Sequence, residues 1–304
     1  MPTDRFRVEV QGRTLELSNL DKVLYPQAGF TKGEVIDYYT RIAPVLLPHL
    51  ADRALTRIRY PNGVDGNSFF EKNAPAATPS WVRTENLPAP GSSKGRETID
   101  YVVADELPTL VWLANLAALE LHTPQWKIGE HPDLMVVDLD PGAPASLKQC
   151  CQVALLLRDR LAADGVDAYP KTSGKKGMQL SCPIAGTQSA EEVSAYARRI
   201  AQELEREHPN LIVSKMAKNL RPGKIFIDWS QNNAAKTTVA PYSLRAQPVP
   251  SVSTPLTWDE VAAGAAGKRP SSRPYIAGEV LSRLDEHGDL LAPLLDLGPP
   301  LPER

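Results

Sequence analysis

The chain has 304 residues, 42% hydrophobic and 23% charged, with a formal net charge of −2. That length supports one large domain or two ordinary ones with a sizeable core, and the near-neutral charge means that any polyanion must be met by a local basic patch, not by the whole surface. No stretch approaches the 18 or more apolar residues of a membrane span, the charged start MPTDRFRVEV does not read as a signal peptide, and Cys150, Cys151 and Cys182 contain no Cys-x-x-Cys pair, so an intracellular protein without disulfide framework or zinc ribbon is expected.

In chain order the pattern is mixed α and β. FRVEVQGRTLEL alternates around Gln11-Gly12 and predicts an N-terminal hairpin. Thr31 with Glu34 forms a capping box ahead of an apolar-periodic helix reaching about Leu47. Residues 55–104 read as strands and loops, including a Pro/Gly/Ser loop at 87–97, and 107–121 (LPTLVWLANLAALEL) is apolar nearly all round, which predicts a buried helix. Ser146 can cap a helix running to Gly165. A hairpin over DAYPKTSGKKGMQLSCPI follows, then a helix capped by Ser189 and Glu192, then a strand in KIFIDWS. From about 248 the chain is Pro-rich, with one short helical segment expected before a weakly ordered end.

Chemistry concentrates at LMVVDLDPG, residues 134–142. A buried-type strand stopped by Pro141-Gly142 puts Val136, Asp138 and Asp140 on one face, with the two carboxylates about 6–7 Å apart along the strand. Like charges that close repel unless neutralised, and Mg²⁺ or Mn²⁺ is the natural counter-ion for oxygen ligands. In KIFIDWSQNN, Asp228 lies opposite the Ile225–Ile227–Trp229 face, so a third strand-borne acid is available. Three such aspartates suit a two-metal phosphoryl-transfer site. Ser173-Gly174-Lys175-Lys176-Gly177 is a Gly-flanked turn whose N–H groups and lysines can face phosphates. It lacks Walker A spacing, and Gln179 on the following strand can point into the same cleft.

DLD, SGKKGMQL, KNLRPGKIFIDWSQNN and KTTVAPYSLR, with LDKVLYP, FTKGEVIDYY, YPNGVDGNSFFEK and LELHTPQW upstream, together resemble the polymerase domain of bacterial ligase D. That is the non-homologous end-joining branch of the archaeo-eukaryotic primase superfamily, and the likeness covers roughly residues 15–250. The resemblance implies an α+β fold, with mixed and antiparallel sheets flanked by helices in a two-lobed primase-polymerase core. One catalytic domain would then span the chain: an N-terminal lobe over about 1–130, a metal-bearing lobe over about 131–250 and a Pro-rich segment at 251–304. It implies Asp138, Asp140 and Asp228 as ligands of two Mn²⁺ or Mg²⁺ ions. Ser173, Lys176, Gln179, Arg221, Arg245, His122 and Arg59 would line the nucleotide. Phe69 and Phe70 would stack on bases, Lys22 and Lys32 would grip the 5′-phosphate of a downstream strand, and the 87–97 loop would match a mobile end-bridging loop.

The implied activity is primer extension by nucleotidyl transfer, with ribonucleotides preferred, filling short 5′-phosphorylated gaps in DNA repair or end joining. Implied partners are gapped or broken DNA, NTP or dNTP, a DNA ligase and an end-binding protein, in the cytoplasm with the nucleoid and not at a membrane. Two positions depart from the family pattern: Gln179 stands where histidine is usual, and Ile58, flanked by Arg57 and Arg59, stands where a basic residue is usual. No Lys-x-Asp-Gly ligase motif is present, which leaves joining to another polypeptide or to a segment outside this chain. The departures sustain a second reading, a catalytically weak end-binding module serving a ligase partner.

Overall fold

A computed structural model describes residues 5–89, 95–270 and 272–303. The tip of the loop at 87–97 therefore lies outside the described residues.

Capping boxes start the long helices where the sequence places them. Thr31 accepts from Glu34 N and opens α1 (Lys32–Leu50), Ser146 with Gln149 opens α3 (Leu147–Ala162), and Ser189 with Glu192 opens α4 (Ala190–Glu207). Each such cap is worth about 1 kcal/mol. On α4 the buried positions Val193, Tyr196, Ala197, Ile200, Ala201 and Leu204 follow the 3.6-residue period, so one stripe faces the core and the charged remainder faces water. α1 continues past Leu47 to Leu50 with Pro44 and Pro48 inside it. The N-terminal hairpin pairs Arg5–Val10 with Arg13–Ser18 across Gln11 and Gly12, both at positive φ, as a tight two-residue turn requires.

Two sheets carry the site. The five-stranded sheet runs Tyr169–Thr172, Met178–Pro183, Leu134–Pro141, Ile225–Asp228, Ile212–Val213, antiparallel except for its last pair. The four-stranded sheet runs Thr238–Val239, Ala118–Thr123, Thr56–Arg59, Phe69–Glu71, antiparallel throughout. The chain thus returns at 238–239 to pair with a strand laid down more than a hundred residues earlier. A single apolar cluster joins α1, both sheets, α3, α4 and the C-terminal helices, with Tyr39, Leu121, Val137, Leu180, Ile200 and Val280 among its members. No helix among the described residues is long and apolar enough to cross a membrane.

Three expectations are corrected. The apolar stretch 107–121 is not one helix. α2 (Leu107–Asn115) ends where Asn115 turns its amide to Glu16 O and Ser18 N, Ala117 takes φ 56°, and Ala118–Thr123 becomes a strand. An unbroken apolar run suits a buried strand as well as a buried helix, and pairing with Thr56–Arg59 decides between them. The KIFIDWS strand stops at Asp228, because Trp229–Asn232 coils into a 3₁₀ turn that lets Asn232 bond both N and O of Val136. Nor is the C-terminus weakly ordered. α5 (Trp258–Ala265) and α6 (Ala277–His287) pack on the core, Asp289 accepts from Tyr242 at 2.6 Å and pairs with His49 at 2.9 Å, and Leu301 is buried.

Candidate functional site

Register brings the aspartates together. Asp138 lies directly opposite Asp228 on one side and opposite Gln179 on the other, and Gln179 in turn lies opposite Lys171. Directly opposed residues of antiparallel strands share a face with Cβ atoms about 4.5–5.5 Å apart, so Lys171, Gln179, Asp138 and Asp228 form one row across the sheet. Asp140, two residues on from Asp138, shares that face at the exposed end, opposite Phe226.

Three acids on one face are costly. Burial raises the Asp138 pKa well above the usual carboxylate range, and the charges of Asp140 and Asp228 push it further. Asp140 is also raised, by burial and then by Asp228, although Arg221 opposes the shift. Arg221 is held nearby by its donation to Met216 O and by stacking 3.7 Å from the Phe226 ring. A divalent cation would remove the repulsion, and an all-carboxylate donor set fits Mg²⁺ or Mn²⁺. Among the described residues no three acidic, His or Cys side chains converge on a closed metal cage. The Asp228 carboxylate is instead engaged by Ser230 N at 3.0 Å and Gln231 Nε2 at 2.8 Å.

Beside the row stands the turn 173–177. Ser173 Oγ accepts from Lys175 N and Gly177 N, which closes the loop on itself. Both glycines are required. A Cβ on Gly174, at φ 70°, would lie 2.6 Å from Arg245 Cγ, and one on Gly177 would lie 2.2 Å from the carbonyl oxygen of Leu139, the residue between the two aspartates. The turn is thereby pressed against both Arg245 and the Asp-Leu-Asp strand. Lys176 is exposed at its tip.

On the four-stranded sheet Glu120 is fully buried and organises the neighbouring cations. Its carboxylate meets His122 Nε2 and Lys175 Nζ at 3.1 Å each, Arg245 Nε at 3.4 Å and Ala246 N at 3.0 Å. Burial alone would raise its pKa, but His122, Arg245 and Lys175 outweigh that and hold it down at about 2. Burial lowers the His122 pKa despite Glu120. Sequence reasoning missed Glu120 because 107–121 reads as helix; the available signal was a lone acid inside an otherwise apolar run. Lys171 was missed too. It is buried, its Nζ donates to Gln179 Oε1, Ser253 Oγ and Val239 O, and burial, then Arg245, pushes its pKa down to about 7.

Register, ion pairs and the packed turn bring Asp138, Asp140, Asp228, Gln179, Ser173, Lys176, Arg221, Arg245 and His122 into one neighbourhood. Arg59 has other partners in the structure. Arg59 pairs with Glu71 at 3.0 Å, donates to Leu116 O, and lies within electrostatic reach of Lys32. Lys32 is buried at the start of α1, where Nζ donates to Ser18 O, while exposed Lys22 reaches Asn62. Burial, then Lys22 and Arg59, lowers the Lys32 pKa to about 8. Consecutive Phe69 and Phe70 are 51% and 59% exposed, an unusual cost for two large apolar rings. A groove of about 1380 Å³ lined by Phe70, Lys72, Tyr101 and Trp126 runs beside them.

Residues 31–291 match the sequence model of a family described as LigD, primase-polymerase domain. The chain is 44% identical over 294 residues to the multifunctional non-homologous end joining protein LigD of Mycolicibacterium smegmatis, covering 95% of this chain and 37% of that protein. It is 34% identical to the bifunctional non-homologous end joining protein LigD of Bacillus subtilis, covering 81% of this chain and 39% of that protein. The chain thus spans well under half the length of these curated relatives. Among solved structures it superposes on the polymerase domain from Mycobacterium tuberculosis ligase D in complex with DNA. The TM-score is 0.86 at 41% identity, over 92% of this chain and 98% of that one.

Proposed function

The chain belongs to the LigD primase-polymerase domain family, and from that premise we propose that it is a nucleotidyltransferase that extends a DNA primer across short 5′-phosphorylated gaps in repair or end joining, with ribonucleotides preferred. The observation that carries this reading is the in-register pair Asp138–Asp228 with Asp140 on the same face, beside a turn and a cation-lined wall that suit a triphosphate.

In this reading Asp138, Asp140 and Asp228 would hold two divalent cations, and such ions would supply Lewis-acid activation of a hydroxyl and neutralisation of pyrophosphate charge. Ser173, Lys176, Arg221, Arg245 and His122 bind the triphosphate. Glu120 keeps Arg245, Lys175 and His122 in position, so that the cations face the nucleotide already fixed. Phe69 and Phe70 supply the stacking platform, since every base offers a π-face. Lys22 and Lys32 take the 5′-phosphate, with Arg59 beside them in place of the nucleotide role its motif suggests. Broken or gapped DNA, NTP or dNTP, a ligase and an end-binding protein are the partners this activity calls for, with the nucleoid as the place of action.

Primer extension on gapped duplex with Mn²⁺ tests the proposal. The expected result is addition of one to a few nucleotides, favoured by a 5′-phosphate on the downstream strand. Retention of the gapped DNA with no extension under Mn²⁺ would instead make the protein an end-bridging module.

A further inference from the structure

Lys171 and Gln179 complete the row that ends in Asp138 and Asp228, and neither has an evident task at the triphosphate. Gln179 is buried, as is every residue of its strand, so its amide does not look out into an open cleft. Lys171 Nζ donates to Gln179 Oε1 at 2.6 Å, Ser253 Oγ at 2.8 Å and Val239 O at 2.9 Å. Nζ donates in all three contacts, so it is the oxygen end of the Gln179 amide that faces Lys171. The NH₂ end therefore points away from Lys171 along the row, and the residue directly opposite Gln179 on that side is Asp138. The anchor at the far end is firm: Val239 comes from the edge of the other sheet, and Ser253, which itself donates to Thr172 O, comes from the C-terminal segment.

We propose that Lys171 and Gln179 are a positioning pair that sets the orientation of the Asp138 carboxylate before any cation arrives, so that Gln179 acts on the metal ligand and not on the triphosphate. The amide so placed offers its N–H groups to the Asp138 carboxylate, which is thereby kept from swinging away from Asp140 and Asp228. The proposal rests on the reading of Asp138 as a metal ligand. It also accounts for residue 179 in chemical terms: a neutral imidazole can accept from Lys171 at one ring nitrogen and donate to Asp138 at the other, as the glutamine amide does with its two ends. Partners behind a metal ligand commonly set metal affinity by about 10- to 100-fold.

The test is Mn²⁺ binding to the full chain without DNA or nucleotide, read from the electron paramagnetic resonance of free Mn²⁺, with steady-state kinetics alongside. Gln179→Met keeps the volume and removes both hydrogen bonds. Gln179→Ala leaves a polar gap that a water can fill, which covers the case in which the buried methionine disturbs folding. Both should weaken Mn²⁺ binding about tenfold or more, while the nucleotide KM at saturating Mn²⁺ stays near that of the parent. Gln179→His should restore the affinity. Asp138→Ala separates the two layers of argument. If it leaves Mn²⁺ binding unchanged, the metal-site reading fails. If it abolishes binding while Gln179→Met and Gln179→Ala bind as the parent does, the positioning pair alone is overturned, and a raised nucleotide KM in those variants would return residue 179 to the triphosphate.

Discussion

The molecule buries acids in two ways within one cleft. On the four-stranded sheet Glu120 is surrounded by His122, Lys175 and Arg245 and is held strongly ionised. On the five-stranded sheet burial, then the charges of Asp140 and Asp228, push Asp138 toward its neutral form. An acid already neutralised by the protein's own cations serves the architecture, whereas one raised by burial and by its own kind is where a cation from outside would be most favoured. Lys22, Lys32 and Arg59 are a counterpart among the cations: burial, then its two neighbours, depresses the Lys32 pKa, and of the three only Arg59 has an acidic partner among the described residues, Glu71.

The sharpest way to break the contrast is to remove an acid from each side. Asp138→Ala or Asp140→Ala should abolish primer extension while leaving DNA binding largely intact, because the phosphate contacts are untouched. Asp138→Asn should also lose activity yet melt at the same temperature as the parent or higher, since the repulsion is relieved. Near-parental extension by the alanine variants would refute the metal reading.

Glu120→Gln should move stability the other way. It strands Arg245 and Lys175 without their counter-charge, and breaking one partner of a buried ion cluster costs about 3–5 kcal/mol. Chemical denaturation would record this as a lower midpoint at unchanged slope. A Glu120→Gln protein as stable as the parent would erase the distinction between the two acids.

On the basic patch the effects are smaller. The double variant Lys22→Ala, Lys32→Ala should lose preference for 5′-phosphorylated over 5′-hydroxyl gaps, and each lost phosphate contact should flatten the logarithmic salt dependence of binding by about one unit. Equilibrium binding across a salt series measures both. An undiminished preference would return the lysines to the solvated surface.

The smallest effect is in pH. Lys32 has a folded pKa of about 8, facing Lys22 and Arg59 with Ser18 as its hydrogen-bond acceptor. The charged form is the one that attracts phosphate, so the 5′-phosphate preference should be full near pH 7 and decline as pH rises through and beyond 8. A seated phosphate raises the pKa and shifts that decline upward. Lys32→Arg should hold the preference flat across the same range, because a guanidinium stays protonated. A parent profile as flat as that of the arginine variant would show that Lys32 does not titrate there.

Much of this arrangement is local in origin and was readable in the chain itself. Alternation on a strand puts Asp138 and Asp140 on one face whatever surrounds them, and the capping boxes at Thr31, Ser146 and Ser189 start their helices through bonds to residues within one turn. Gly174 and Gly177 mark a turn by their spacing, although only the packed structure reveals that Arg245 and Leu139 crowd them. What remained was decided by register and by long-range pairing. Apolar residues around Glu120 fit helix or strand equally, and the edge offered by Thr56–Arg59 selects the strand that aims the acid into the cleft. Arg59 sits in a motif that suggests a nucleotide contact, yet pairing with Glu71 and the nearness of Lys32 give it a different neighbourhood. Lys171 is an ordinary lysine in sequence. Its partners Val239 and Ser253 lie dozens of residues further on, and only when antiparallel pairing sets Lys171 against Gln179, and Gln179 against Asp138, does it become the anchored end of the row. Sequence periodicity assigns a side chain to a face; which side chains face it across the strands depends on contacts that no local pattern encodes.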